Sequence, residues 1–118
     1  MEEKRLPHTH HQNTKRVASL MPEPARFDTA AQVFKLLDDP TRIRLFWILC
    51  HCEECVLNLS AMMDMSSPAL SHHLKLLKTQ GLIISRREGK EVYYKAADTL
   101  QADTCHHMIE KILKISCP

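Results

Sequence analysis

Three of the five cysteines in this 118-residue chain lie within one six-residue run, Cys50-His51-Cys52-Glu53-Glu54-Cys55. Thiolates are soft ligands, and they favour zinc, cadmium, lead or trivalent arsenic over hard cations. Closely spaced thiols can instead form a disulfide or a persulfide bridge. The run therefore predicts a site that senses either a soft metal or metalloid ion, or a thiol oxidant.

Cys52 and Cys55 are the expected ligand pair of this site, because the Cys-x-x-Cys spacing suits binding to one ion. Two thiolates do not close a metal site, so a third ligand is needed. Cys50 could supply it, although this residue also fits a small buried position on an apolar helix face. Cys117, close to the C-terminus, could supply it from the same subunit or from a partner.

A second group of possible ligands lies on the last predicted helix. Asp103, His107 and Glu110 recur there at helical spacing together with His106, which suits either a metal site or a solvated charged face. The histidines of His8-Thr9-His10-His11 could also bind nickel or zinc, but a flexible cluster binds metal weakly.

A polar helix face follows the cysteine run and suits the major groove of DNA. Short hydroxyl side chains allow a close backbone approach, lysines reach phosphates, and Ser71 or His72 could reach base edges. The predicted contacts on this helix are Ser67, Ser71, His72, Lys75 and Lys78. Between Ser66 and Lys95 there are six basic residues and two acidic ones, which is the charge that phosphate binding requires.

The helices and strands that carry these residues can be predicted from the spacing of apolar residues and from helix-capping residues. Apolar period and N-cap residues predict helices over residues 28–38, 40–51, 59–64, 68–79 and 99–115. Asp39 followed by Pro40 marks the start of the second helix, and Asn58 is expected to cap the third. The period changes to two over residues 82–86 and 91–95, so a basic hairpin is expected, with Arg86, Arg87 and Lys90 on phosphates.

Composition and the order of the predicted elements give the fold class. The chain has two glycines and few aromatic residues, which favours a mainly α fold. The two short helices followed by the basic hairpin make it a mainly α fold with a β-hairpin wing (α+β), a winged helix-turn-helix, and the apolar stripe of the last helix predicts that it is homodimeric. Residues 1–26 are expected to form a flexible arm, and residues 27–118 the domain for DNA binding and dimerisation. No apolar stretch approaches the roughly 18 residues that cross a bilayer, so we expect a cytoplasmic protein without membrane association.

Two segments resemble the ArsR/SmtB family of bacterial metalloregulatory repressors. They are VFKLLDDPTRIRLFWILC and SSPALSHHLKLLKTQGLIISRREGKEVYY, and the resemblance extends over roughly residues 28–115. It implies a homodimer that binds an operator with an inverted repeat, represses its own operon, which often encodes a metal exporter, and releases DNA when an inducer binds.

The ligand positions depart from those of the family. Its arsenic, cadmium and lead sensors carry Cys-Val-Cys where this chain has Cys55-Val56-Leu57, so one thiolate is kept and one is lost. Its zinc site begins with a carboxylate that Asp98 matches, but Leu100 replaces the next histidine. The resemblance therefore leaves the sensing site open between a rebuilt cysteine site and a shifted site on the last helix.

The sequence thus predicts a repressor that releases DNA when a soft ion binds cysteines, or alternatively a thiol-redox or persulfide sensor that uses the same cysteines. An enzyme would need a nucleophile with its base, or an open metal position in a cleft with a general base. The sequence contains no such pair and no glycine-rich phosphate loop, so we expect no catalysis.

Overall fold

The computed structural model describes residues 5–10 and 13–118. The helices there are α1 (Thr14–Leu20), α2 (Pro24–Leu36), α3 (Pro40–His51), α4 (Val56–Met63), α5 (Ser67–Thr79) and α6 (Leu100–Leu113). The strands are β1 (Glu54–Cys55), β2 (Ile83–Glu88) and β3 (Glu91–Ala96), and they form one antiparallel sheet in the order β1-β3-β2.

Helix α3 starts as its sequence predicts. The Asp39 carboxylate accepts hydrogen bonds from the backbone N–H groups of Thr41 at 2.8 Å and Arg42 at 3.1 Å, and Pro40 occupies the first turn, where a missing N–H costs nothing. The helix ends at His51, so the cysteine run begins inside α3 and continues beyond it.

The pair of helices α4 and α5 forms the helix-turn-helix. Asp64 ends α4 in the left-handed conformation, and the Ser66 hydroxyl then caps α5 by accepting a hydrogen bond from the Ala69 N–H at 3.3 Å. The prediction that Asn58 caps the first of these helices is wrong, because α4 already begins at Val56. Asn58 lies in its first turn and donates to the Glu54 carboxylate at 2.8 Å.

The predicted hairpin is present as β2 and β3, and Gly89 at its turn has a positive φ of 62°, which favours glycine. A third strand was not predicted from the sequence. Residues 54–55 form β1, in which Glu54 pairs with Tyr94 and Cys55 with Tyr93 of β3. The end of the cysteine run is therefore joined to the wing by strand pairing.

The core lies between α3, α4, α5, α6 and the base of the wing, and it includes Leu45, Phe46, Leu59, Leu70, Leu74, Leu77, Leu82, Ala102, Cys105 and Ile109. Thr99 caps α6 by accepting from the Ala102 N–H at 3.2 Å. One face of α6 is thus buried within the subunit.

The N-terminal segment differs from the predicted arm. It contains α1, and α2 begins at Pro24, four residues before the predicted start at Asp28. The chain divides into compact units of residues 1–32 and 33–118. His8 and His10 stack with ring centroids 5.6 Å apart, whereas His11 lies outside the described residues. Within the described ranges, no helix has both the length and the apolar character to cross a membrane.

Candidate nucleic-acid interface and metal centre

Helix α5 has one buried face and one free face. Leu70, Leu74 and Leu77 are at most 1% exposed, which fixes the rotation of the helix about its axis. The opposite face leaves four of the predicted DNA contacts exposed, namely Ser71, His72, Lys75 and Lys78. Ser67 is only half-buried, and its hydroxyl lies 3.3 Å from that of Ser60 in α4.

A direct contact joins this helix to the wing. The Lys78 ammonium donates to the Ser85 hydroxyl of β2 at 2.7 Å. On the other side of α5, His73 is half-buried and its Nδ1 lies 3.5 Å from the Arg42 guanidinium, so it serves packing rather than the free face.

The three basic residues predicted on the wing are not equivalent. Arg87 and Lys90 are exposed at the turn. Arg86 is bound by two carboxylates, Glu53 and Glu88, each at 2.7 Å, and its guanidinium lies 4.8 Å from the centre of the Tyr93 ring. A DNA phosphate would therefore have to compete with these two carboxylates for Arg86.

The structure separates the cysteines of the predicted metal site into different environments. Cys50 is half-buried on α3, and burial together with the charge of Glu110 raises its pKa to about 12. Cys52 is exposed and donates to the Ile48 carbonyl at 3.4 Å, while Cys55 is buried in β1. In the described part of the chain, none of the three belongs to a group of three or more convergent ligand atoms.

Four other side chains do converge. They are His51 at the end of α3, His106 and Glu110 on α6, and Cys117 in the C-terminal tail, and their ligand atoms all lie within 4.8 Å of one another. The Nε2 atoms of His51 and His106 are 3.1 Å apart. Glu110 Oε2 is 3.1 Å from His51 Nε2, and Glu110 Oε1 is 3.2 Å from His106 Nε2. We call this set the α3–α6 cluster.

Glu110 is the centre of the α3–α6 cluster and is 6% exposed. Desolvation raises the pKa of its carboxyl group, but hydrogen bonds from Cys117 and Trp47, with the electrostatic contribution of the nearby His106 side chain, outweigh it and lower the pKa to about 2. The Trp47 indole N–H donates to Oε2 at 3.1 Å. Glu110 is thus a buried carboxylate whose oxygens are fixed by neighbours on two helices.

The C-terminal tail reaches the cluster because α6 ends in a tight reversal. Lys114 has a left-handed φ of 57°, and the Ile115 N–H donates back to the Glu110 carbonyl at 3.1 Å, a Schellman arrangement. Cys117 Sγ then lies 3.2 Å from Glu110 Oε1 and 3.8 Å from His106 Nε2. The thiol predicted to complete the Cys52 and Cys55 site therefore meets α6 instead.

The other predicted residues of α6 lie apart from this set. His107 pairs with Asp103 at 3.2 Å, and both side chains are about two-thirds exposed, at 66% and 63%. Sequence reasoning placed His106, Glu110 and Cys117 among the possible ligands but did not assign His51. The available signal for His51 was its spacing of four from Trp47, which puts the two side chains on one face of α3.

Comparison with known proteins connects these elements to a family. A sequence model described as "Bacterial regulatory protein, arsR family" matches residues 39–85, from the N-cap of α3 into β2. An arsenic resistance transcriptional regulator from Pseudomonas putida is 34% identical over 87 residues, which are 73% of this chain and 75% of that protein. The chain belongs to the ArsR family of bacterial regulatory proteins.

A second relative is a protein from Synechocystis named as a homolog of the transcriptional repressor SmtB. It is 42% identical over 85 residues, which are 70% of this chain. They are 64% of that protein, so the chain spans less than two thirds of its length. Both names describe regulators of transcription rather than enzymes.

A solved structure supports the fold. The homodimeric winged helix-turn-helix DNA-binding domain from Mycobacterium bovis matches with a TM-score of 0.69 at 25% identity, over 80% of this chain and 88% of that domain. This confirms the predicted winged helix-turn-helix. The matched ArsR segment ends before α6, so three of the four residues of the α3–α6 cluster lie beyond it.

Proposed function

We propose that this ArsR-family chain is a DNA-binding transcriptional repressor that releases its operator when a metal ion binds. The proposal that the chain binds DNA rests on the free face of α5, which presents hydroxyl, imidazole and ammonium groups while the leucines of the helix are buried. Lys78 also ties this helix to a wing with exposed basic residues. Such a surface suits a major groove and the phosphates beside it.

The operator is proposed to be an inverted repeat read by a homodimer, with one α5 in each of two successive major grooves. Within residues 33–118, large apolar side chains of α2 and α6 remain exposed that a partner could cover, among them Phe34 at 60%, Ile112 at 71% and Leu113 at 56%. The M. bovis domain of the same fold is described as homodimeric. A second copy of the chain would remove these side chains from water.

The proposed inducer is a metal ion, because relatives of the chain are named for metals. One is a cadmium resistance regulatory protein homolog from Staphylococcus aureus, 42% identical over 69 residues. A ligand bound near the end of α3 could affect the DNA-binding surface, because strand β1 and the ion pair between Glu53 and Arg86 connect residues 53–55 to the wing. The regulated genes are proposed to serve efflux or detoxification.

The thiol-redox alternative is less favoured by the electrostatics of the cysteines. Burial and the nearby Glu54 raise the pKa of Cys52, and burial raises that of Cys50 to about 12. Reactive sensor cysteines have lowered pKa values, because the thiolate is the nucleophile. The raised pKa values of these two cysteines favour the thiol over the reactive thiolate.

The DNA-binding proposal is tested by titrating a labelled operator fragment with Lys90→Ala protein at several salt concentrations. Loss of one phosphate contact per subunit should weaken binding to all DNA sequences alike. It should also reduce the salt slope, which is the slope of the logarithm of the binding constant against the logarithm of the salt concentration, by about one unit for each subunit of the dimer. Lys111→Ala is the matched control, since it removes the same charge from α6. A change in sequence preference with an unchanged salt slope would contradict the wing assignment.

A further inference from the structure

We propose that the α3–α6 cluster is a metal-binding site within one subunit, in which His51, His106, Glu110 and Cys117 bind one divalent ion of the zinc class. This deepens the proposed function by naming its inducer site, and only the regulatory role of the ion rests on that function. Binding itself depends on the four side chains alone.

The donor set selects the kind of ion. Two imidazole nitrogens, one carboxylate oxygen and one thiolate sulfur match the ligands of zinc, and cobalt accepts the same set. Hard cations such as magnesium and calcium prefer all-oxygen sites. Trivalent arsenic is a soft, thiophilic centre, and this cluster offers it a single sulfur.

The distances between the ligand atoms fit a tetrahedral ion. With bonds of about 2.0–2.1 Å to nitrogen or oxygen and about 2.3 Å to sulfur, the tetrahedron edges are about 3.3 Å between light atoms and about 3.6 Å to sulfur. The separations around His106 are 3.1 Å to His51, 3.2 Å to Glu110 and 3.8 Å to Cys117. Glu110 lies 3.1 Å from His51 through Oε2 but 3.2 Å from Cys117 through Oε1. All the ligand atoms lie within 4.8 Å of one another, so side-chain shifts that bring one carboxylate oxygen to the ion would let it bind all four residues.

Burial and hydrogen bonding prepare the site. The side chains of His51, His106 and Glu110 are 17%, 14% and 8% exposed, so three ligands are largely held by packing. The Trp47 N–H fixes one carboxylate oxygen, which is how outer-shell donors orient metal ligands. The exposed tail residue Cys117 would close the site, and its thiol proton would be released when the ion binds.

The position of His51 gives the ion a route to the DNA-binding surface. His51 is the last residue of α3, and residues 52–55 lead directly from it to β1, which pairs with β3 of the wing. An ion that fixes His51 against α6 would therefore also constrain the segment that carries Glu53, the partner of Arg86.

The test is titration of reduced, metal-free, full-length protein with cobalt(II), followed by competition with zinc. We expect one high-affinity ion per chain, with the absorption of a tetrahedral cobalt site and a thiolate-to-cobalt charge-transfer band. Cys117→Ser should lose the charge-transfer band and bind at least tenfold more weakly, with unchanged circular dichroism because residue 117 is exposed. The matched control Cys52→Ser should keep both the band and the affinity.

The site is wrong if cobalt does not bind, or if the charge-transfer band survives Cys117→Ser and disappears in Cys52→Ser. The second result would return the site to the cysteine run. Histidines such as His8 cannot imitate the expected signal, since they provide no thiolate. Operator binding by the same metal-free sample is measured separately. If cobalt binds as expected and no operator is bound, the proposed function fails while the metal site stands.

Discussion

Arg86 of the wing donates two hydrogen bonds to Oε1 of Glu53, from Nε at 2.9 Å and from Nη2 at 2.7 Å. The hydrogen bond from Arg86 lowers the pKa of Glu53 and favours its charged form. Glu53 lies between Cys52 and Cys55, so a guanidinium expected on a DNA phosphate is held by the segment that follows α3. The Glu53 carboxylate and a DNA phosphate therefore compete for the same guanidinium.

Glu53→Gln should weaken the interaction of residue 53 with Arg86, because it removes the charge of the carboxylate. Because an arginine freed from a carboxylate can pair with phosphate, we expect tighter operator binding and a salt slope steeper by about 0.9 for each additional phosphate that is neutralised. Glu91→Gln is the control, since it removes the same charge from the wing at a residue outside the Arg86 ion pairs. Equal effects of both variants, measured by fluorescence anisotropy, would show that only net charge changed.

Ile112→Asp should convert the dimer to monomer. Ile112 is 71% exposed in the single subunit, so the substitution costs little within it, whereas a dimer contact there would bury an unpaired charge from each chain. Sedimentation velocity at micromolar concentration checks this result. A parent protein that sediments as a stable monomer would overturn the dimer and the paired-groove arrangement with it.

Asp39→Ala should destabilise the domain by about 1 kcal/mol, the usual effect of losing an N-cap. Asp38→Ala is the control, because the neighbouring carboxylate is exposed and caps nothing. Denaturant unfolding monitored by circular dichroism should separate the two variants at neutral pH. Equal stability of both variants would contradict the cap.

The same cap has a definite pH dependence. The backbone N–H donors, that of Arg42 foremost, lower the pKa of Asp39 below its ordinary value of 3.8. A carboxyl group with a lowered folded-state pKa stabilises fully above its unfolded-state value and loses this contribution as the pH falls through the folded-state value. The difference between parent and Asp39→Ala should therefore shrink in that acidic range.

Local signals were sufficient for most of the fold. Asp39 with Pro40, Ser66 before α5 and Gly89 in the hairpin act on neighbours a few residues away, so their effects can be predicted from sequence. Strand β1 has only two residues and exists because β3 offers it an edge, which no local period indicates. The start of α4 was misplaced because Cys55, a weak capping residue, precedes it.

The α3–α6 cluster could not be predicted from local sequence patterns, because its residues are far apart in the chain. His51 and Glu110 are 59 residues apart, and only the packing of α3 on α6 brings their side chains to 3.1 Å. Cys117 was expected to be free for the cysteine run, but the left-handed residue Lys114 turns the tail back onto α6. The Cys-x-x-Cys spacing of Cys52 and Cys55 is visible in the sequence, whereas the convergent ligands come from two helices and a tail.

A metal ion bound by the α3–α6 cluster is proposed to release the operator. The most direct measurement is the ratio of operator dissociation constants with and without saturating zinc, for the parent and for Cys117→Ser. We predict a weakening of about 5- to 150-fold for the parent, the usual range of such coupling, and a ratio near one for Cys117→Ser. An unchanged dissociation constant for the parent, or an undiminished response of Cys117→Ser, would contradict the account.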